Sequence, residues 1–387
     1  RFAFSAGGFY EYEGGFFRNA ALKNKKVDKG QSAGGRIRAI YLPSDNWKLD
    51  FNVSYEYGDQ GGYPYGLYNK ETGDVAKTAY NDESSYYRNL LNTRLNVEYQ
   101  AQNFTLSAVT GYQHLKDRMF LDQDFTAKNT YTLEQKQRIN TISEEIVMKS
   151  KENHRWQWAT GIFGFYQWLN TTAPVTFKED GMAMMDQMLG NFIPALVEVP
   201  MGPGRNMNIM PALKVTSARL PINGDFKTPL LNGALFHQST FRDLFGIDGV
   251  SFTAGLRLDY EKMKMDYNSG TAMDYTIGIT GQMMMNGAPT GKPISMMPET
   301  ALTGTSPYQG SISKDYLQLL PKFALQYDFP KNLGNVYATV SKGYRSGGYN
   351  IQMFSDLLQA SLKNDMMRLT KDEIMSQVPE NLKDMVN

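Results

Sequence analysis

Residues 316–349 read YLQLLPKFALQYDFPKNLGNVYATVSKGYRSGGY, and this stretch decides the fold. On its first limb Leu319, Phe323, Leu325, Tyr327 and Phe329 share one parity, while Lys322, Gln326 and Asp328 share the other. Successive strand side chains point to opposite faces, so one face is greasy and the other wet. Pro330 to Asn335 is polar, carries Pro, Asn and Gly, and suits a reversal. On the second limb Val336, Ala338, Val340 and Tyr344 oppose Tyr337, Thr339, Ser341 and Arg345. Taken alone, the hairpin fits a soluble β-sandwich as well as a membrane wall.

The same pattern recurs outward along the chain. Trp47, Leu49, Phe51, Val53, Tyr55 and Tyr57 alternate with Lys48, Asp50, Asn52, Ser54 and Glu56. Val250, Phe252, Ala254, Leu256, Leu258 and Tyr260 alternate with Ser251, Thr253, Gly255, Arg257 and Asp259. Further strands are expected near 1–12, 31–42, 86–100, 103–116, 138–150, 155–169 and 230–242. The whole reads as about eleven strands of roughly 10 to 16 residues, joined alternately by short turns and long loops. All short turns then lie at one end and all long loops at the other. The longest loops are expected at 171–228 and 266–313, with residues 351–387 helical and polar. That asymmetry marks a transmembrane antiparallel β-barrel with short periplasmic turns and long extracellular loops. The barrel is partial: an odd antiparallel set cannot close on itself, and an open edge in lipid leaves backbone groups unpaired. Two regions follow: a partial barrel over 1–350 and an extracellular, partly helical segment over 351–387.

Aromatic belts separate the membrane reading from a soluble all-β module. Trp156, Trp158, Ile162, Tyr166 and Trp168 share a face, and Trp158 to Tyr166 spans roughly 20 Å along the membrane normal. Trp47, Trp156 and Trp158 sit beside short turns, where the periplasmic belt is expected. Glu144 shares parity with Ile142 and Ile146, and is expected near its strand's start, at the rim.

Composition narrows the function. The 387 residues carry a formal net charge of +1, without the basic stripe a nucleic-acid partner demands. No apolar run approaches a membrane helix. Cysteine is absent, so there is neither disulfide nor thiolate site. His114, His154 and His237 are scattered, and no catalytic motif or cofactor-binding pattern is present. Asp122-Gln123-Asp124 opens like a calcium loop but lacks the required Gly and the late Glu, so no metal site is expected there. Catalysis is therefore not expected.

Two loops offer ligand contacts. Tyr63, Tyr65 and Tyr68 lie in the Gly-rich DQGGYPYGLYNKETG loop, where aromatics at a barrel mouth could stack on a ligand or complete the upper girdle. Most of the 22 methionines lie between Met182 and Met297. Met184, Met185 and Met188 could give a soft surface for a hydrophobic ligand; Met185, Met188, Leu189 and Phe192 also stand at helical spacing, as a small core over the mouth would require.

The segments LLPKFALQYDFPKNLGNVYATVSKGYRSGGYN and LDFNVSYEYGDQGGYPY resemble TonB-dependent outer-membrane receptors, especially the iron-complex branch of Bacteroidetes-type bacteria. The most specific feature is Ser341 to Asn350. The resemblance implies a 22-stranded barrel around a plug, residence in outer-membrane lipid, and uptake driven by the TonB–ExbB–ExbD complex acting on the plug. Neither a TonB box, a plug nor a terminal aromatic strand is found in this sequence. The implied ligand is a ferric siderophore or other iron complex. A passive porin and a glycan importer of the same superfamily are the alternatives.

Overall fold

The computed structural model describes residues 1–152, 154–190 and 196–377. Its framework is a meander of eleven long strands: β1 (Phe2–Glu13), β4 (Gly30–Ser44), β5 (Trp47–Gly61), β6 (Ser85–Gln100), β7 (Phe104–Asp122), β8 (Tyr131–Ser150), β9 (Trp156–Thr172), β14 (Leu230–Arg242), β15 (Val250–Met285), β16 (Ala288–Asp328) and β17 (Asn335–Ser341). Each pairs antiparallel with the next. A two-stranded ladder, β2 (Arg18–Asn19) with β3 (Lys25–Lys26), sits in the first long loop. Among the described residues β1 borders only β4, and β17 only β16, so the wall has two open edges.

The alternation resolves into two solvents. Trp47 is 42% exposed and Phe51 43%, whereas Asp50 between them is 3% exposed. The greasy face looks outward, uncovered by any second sheet among the described residues, and the outward rings meet across strands, as Trp47 and Tyr99 do at 4.8 Å. The polar face looks into the lumen and satisfies itself there. Arg38 grips Asp50 through two bonds, at 2.8 and 2.5 Å. Arg257 pairs with Asp259 at 2.7 Å, and Asp259 also accepts from Asn232. A soluble sandwich would bury the first set and wet the second, so this is a membrane wall. Among the described residues no helix is long and apolar enough to cross a membrane, a criterion that does not bear on strands.

Two expectations need correction. The stretches 171–228 and 266–313 are not loops. The first folds as β10 (Val175–Phe177), α1 (Glu179–Gly190), β11 (Val197–Gly202), β12 (Arg205–Val215) and β13 (Leu220–Lys227). The second is the upper half of one continuous hairpin, β15 with β16, of 36 and 41 residues rather than 10 to 16. Its tip is a two-residue turn at Asn286 (φ 49) and Gly287 (φ 81), flanked by the Met285–Ala288 pair. Glycine tolerates such a dihedral freely, and the Asn-Gly pair suits this turn type.

Glu144 is also not at the rim. β8 starts at Tyr131, thirteen residues earlier, so Glu144 lies within the outward face between Ile142 and Ile146, opposite Thr110 and Gly164. Its Oε2 accepts from Thr110 Oγ1 at 2.5 Å, which partly offsets the cost of an acid facing hydrocarbon.

Above the wall a second core forms. The helix α2 (Met353–Gln377) buries Phe354, Leu358, Leu362, Met366 and Thr370, a stripe at strict four-residue spacing. Leu362 and Met366 pack with Met182, Met185 and Leu189 of α1 and with Leu220, Met273 and Tyr275 of the strands. Tyr275 is fully buried; its hydroxyl donates to the Met366 carbonyl at 3.0 Å and accepts from Thr370 at 3.2 Å.

Candidate ligand-capture site

The long connections gather at one end of the wall and build its mouth. In the 62–84 segment Tyr80 is the anchor. It is fully buried, donates its hydroxyl to the Gly62 carbonyl at 3.0 Å, and accepts at its own carbonyl from Asn19 at 2.8 Å. Burial pushes the Tyr80 hydroxyl up to about 12, so it remains a donor at any physiological pH. On this anchor Tyr63 adopts a positive φ of 57, and its ring lies 6.4 Å from that of Tyr65. Tyr65 in turn meets Phe125 edge-on at 4.9 Å. The structure thus brings Tyr63 and Tyr65 together and adds Phe125, which periodicity could not flag because it stands in an irregular turn. Tyr68 is exposed and stands apart, paired with Val75 in an isolated bridge.

The methionine helix divides. Met184 is exposed and Met188 is 52% exposed, but Met185 is 8% exposed and belongs to the α1–α2 core. Of the two readings open to Met185 the structure takes the packing one, as it does for Leu189, whereas Met188 stays exposed and Met182 is buried in its stead. Phe192 lies outside the described residues. Met185 and Met188 still edge a cavity of about 170 Å³ with Met273 and Met366.

A larger hollow of about 600 Å³ opens on the lumen side of the mouth. Met119, Gln123 and Gln135 line it from β7, β8 and their connection, and Phe354 and Gln359 close it from α2. Tyr131 and Phe177 also line it and stack at 5.4 Å. Burial pushes the Tyr131 hydroxyl up. Gln123 Oε1 is buried with no hydrogen-bond partner among the described residues. An amide oxygen left that way is satisfied by a donor from a ligand or water. None of the six sequence-selected residues lines this hollow. The signal that could have found it was parity: the inward positions of β8 turn from Lys149 and Glu145 at its lower end to Gln137, Gln135, Leu133 and Tyr131 at its upper end, beside the inward Met119 and Leu121 of β7.

An antiparallel wall, greasy outside and polar inside, with short turns below and a folded mouth above, is the setting for the family comparison. Residues 58–366 match the model of the TonB dependent receptor-like, beta-barrel family. The chain belongs to this family. TonB-dependent receptors are outer-membrane transport proteins rather than enzymes. Solved structures of similar fold include the ferric yersiniabactin uptake receptor FyuA from Yersinia pestis, at 9% identity and a TM-score of 0.40, over 88% of this chain and 67% of that one. The ferric citrate transporter FecA in its unliganded form matches at 8% identity and a TM-score of 0.33, over 87% and 68%. The copper transporter OprC matches at 10% and 0.34, over 84% of this chain and 60% of that one.

Proposed function

We propose that this TonB-dependent receptor wall serves the active uptake of a scarce nutrient, with a ferric siderophore or other iron complex as the ligand. Capture falls to the extracellular mouth, and TonB–ExbB–ExbD drives passage by way of a plug held in the lumen. The observation that carries the reading is the hollow of about 600 Å³ on the lumen side of the mouth. Its size falls within the range of small-molecule sites, and it combines stacked rings with amide groups, as a chelate of mixed apolar and polar surface requires. Tyr63, Tyr65 and Tyr68, with Met184 and Met188, then form the outer contacts that a ligand meets first.

The test is uptake of a ferric hydroxamate and a ferric catecholate by cells carrying the intact receptor, beside cells lacking it. Receptor-dependent, TonB-dependent accumulation of iron is expected, weakened about tenfold by Gln123→Leu. Uptake that persists without TonB would instead point to a passive porin.

A further inference from the structure

Two rungs of the wall set like charges directly across from each other. Lys116 of β7 stands opposite Arg138 of β8, and Arg118 stands opposite Lys136. All four share the parity of Thr110 and Glu144, so they lie on the outward face, and all four are exposed. Residues directly opposite in an antiparallel pair bring their Cβ atoms to about 4.5–5.5 Å, and like charges placed there repel. Glu134 is the acid set against them: it accepts from Arg118 at 2.5 Å and pairs with Lys136 at 3.0 Å. The side chains of Lys116 and Arg138 make no hydrogen bond or ion pair with another described residue. Their neighbours across the next rungs, Asn89 on β6 and Asn170 on β9, are neutral.

These rungs stand at a definite height. Trp168 of β9 faces outward, meets Tyr166 edge-on at 4.5 Å, and pairs with Asn140 of β8. Such outward rings sit at headgroup level and mark the upper belt on this side of the wall. The Lys116–Arg138 rung is the next outward position above Asn140, and the Arg118–Lys136 rung the one after it. At ~3.3 Å per residue and ~40° tilt, they stand roughly 5 and 10 Å above the belt along the membrane normal. The hydrocarbon has ended there, and the outward face meets lipid headgroups.

We propose that Lys116, Arg138, Arg118 and Lys136 form a docking surface for the phosphate groups of an outer-leaflet lipid. Two opposed cations at cross-strand spacing can flank one phosphate, whose oxygens accept charge-assisted hydrogen bonds from both. The bound anion removes the repulsion between them. The second rung offers the same arrangement to a second phosphate, so a lipid carrying two phosphates fits better than one carrying a single charge. The long stems of Lys and Arg lie along the wall while their heads stay at headgroup depth. Arg118 is steadied for this by the rings of Tyr87 and Phe120, 6.0 and 5.9 Å from its guanidinium carbon. Charge complementarity and height together favour a lipid, because clustered Lys and Arg at a membrane surface recognise anionic headgroups. The inference does not depend on which nutrient is carried, so a negative siderophore result leaves it standing.

The test uses the intact receptor in phosphatidylcholine vesicles carrying a trace of spin-labelled, bisphosphorylated lipid A. Electron spin resonance reads the fraction of label held at the protein. Enrichment of at least about tenfold over labelled phosphatidylcholine is expected, since each Lys or Arg near a membrane surface is worth about a factor of five for an anionic lipid. Lipid A stripped of its phosphates should show no enrichment. Lys116→Gln with Arg138→Gln should bring the enrichment down to about twofold. Both side chains are exposed and unpaired, so this variant should assemble, as heat-modifiable migration on a gel will show. Lys70→Gln with Lys292→Gln removes the same charge from exposed positions elsewhere and should change nothing. Equal enrichment of the phosphate-free lipid would overturn the proposal, and that arm needs no variant. So would full enrichment in the Lys116/Arg138 variant, or an equal loss in the Lys70/Lys292 control, which would make the effect one of overall charge. Displacement of the label by millimolar inorganic phosphate would also overturn it, by assigning the rungs to a free anion.

Discussion

Asp50 and Phe51 are neighbours in the chain and live in opposite solvents. Asp50 turns inward to Arg38, and Phe51 turns outward to hydrocarbon. Such pairs were legible from parity alone, because a strand offers only two faces. Asp50→Ala leaves a guanidinium without its partner, and we expect a loss of about 1–3 kcal/mol, read as a lower urea midpoint for the receptor folded in vesicles. Helical spacing reached Met185, but that Met182 and not Met188 joins it in the core was not legible. Its partners Met273 and Met366 lie far along the chain, and no local spacing reports them. At Asp365 the Thr305 N–H (2.9 Å) and then Arg368 (2.7 Å) hold the carboxyl below the usual range. A depressed acid contributes stability that is complete above its unfolded pKa and lost as pH falls through the folded one. Acidification below about pH 4 should therefore loosen α2 from β16. Protease cleavage within α2 should speed up on brief exposure to such pH, and Asp365→Asn should show that faster cleavage already at neutral pH.

The strands between short turns could be read because each carries clean alternation and a polar reversal. The upper hairpin of β15 and β16 could not, for a physical reason. It contains Pro289, Pro293, Pro298 and Pro307, which normally argue against a strand. Over that length β16 pairs only with β15 among the described residues, so its other edge has no ladder for a missing N–H to break. The Asn286-Gly287 pair was the readable signal, masked by the methionines beside it. α2 shows another limit: a four-residue spacing advances about 40° per step around a helix, so its buried stripe winds instead of forming one apolar side. The two faces of β15 give a direct test. Leu256→Arg on the outward side should cost about 2–4 kcal/mol or block assembly, as seen by loss of heat-modifiable migration on a gel. Thr253→Arg, facing the lumen, should assemble normally.

For the whole molecule, eleven framework strands make a wall that, among the described residues, has unpaired edges at β1 and β17. Each unpaired backbone group in hydrocarbon costs several kcal/mol, so residues 1–387 expressed alone should not insert into vesicles, whereas the intact receptor should fractionate with outer membranes. Sequence alone gathered the long connections at one end of the wall but missed the 600 Å³ hollow, whose lining converges from five connected regions only after folding. From Tyr260 to Met285 the β15 strand runs 25 residues past the outward-facing leucines, roughly 80 Å of extended chain at ~3.3 Å per residue. A ribbon that long should make the receptor visible from outside the cell. An epitope tag spliced between Asn286 and Gly287 should be stained by antibody on living, unpermeabilised bacteria, and the same ribbon should be the first part of the receptor that a phage or an antibody meets.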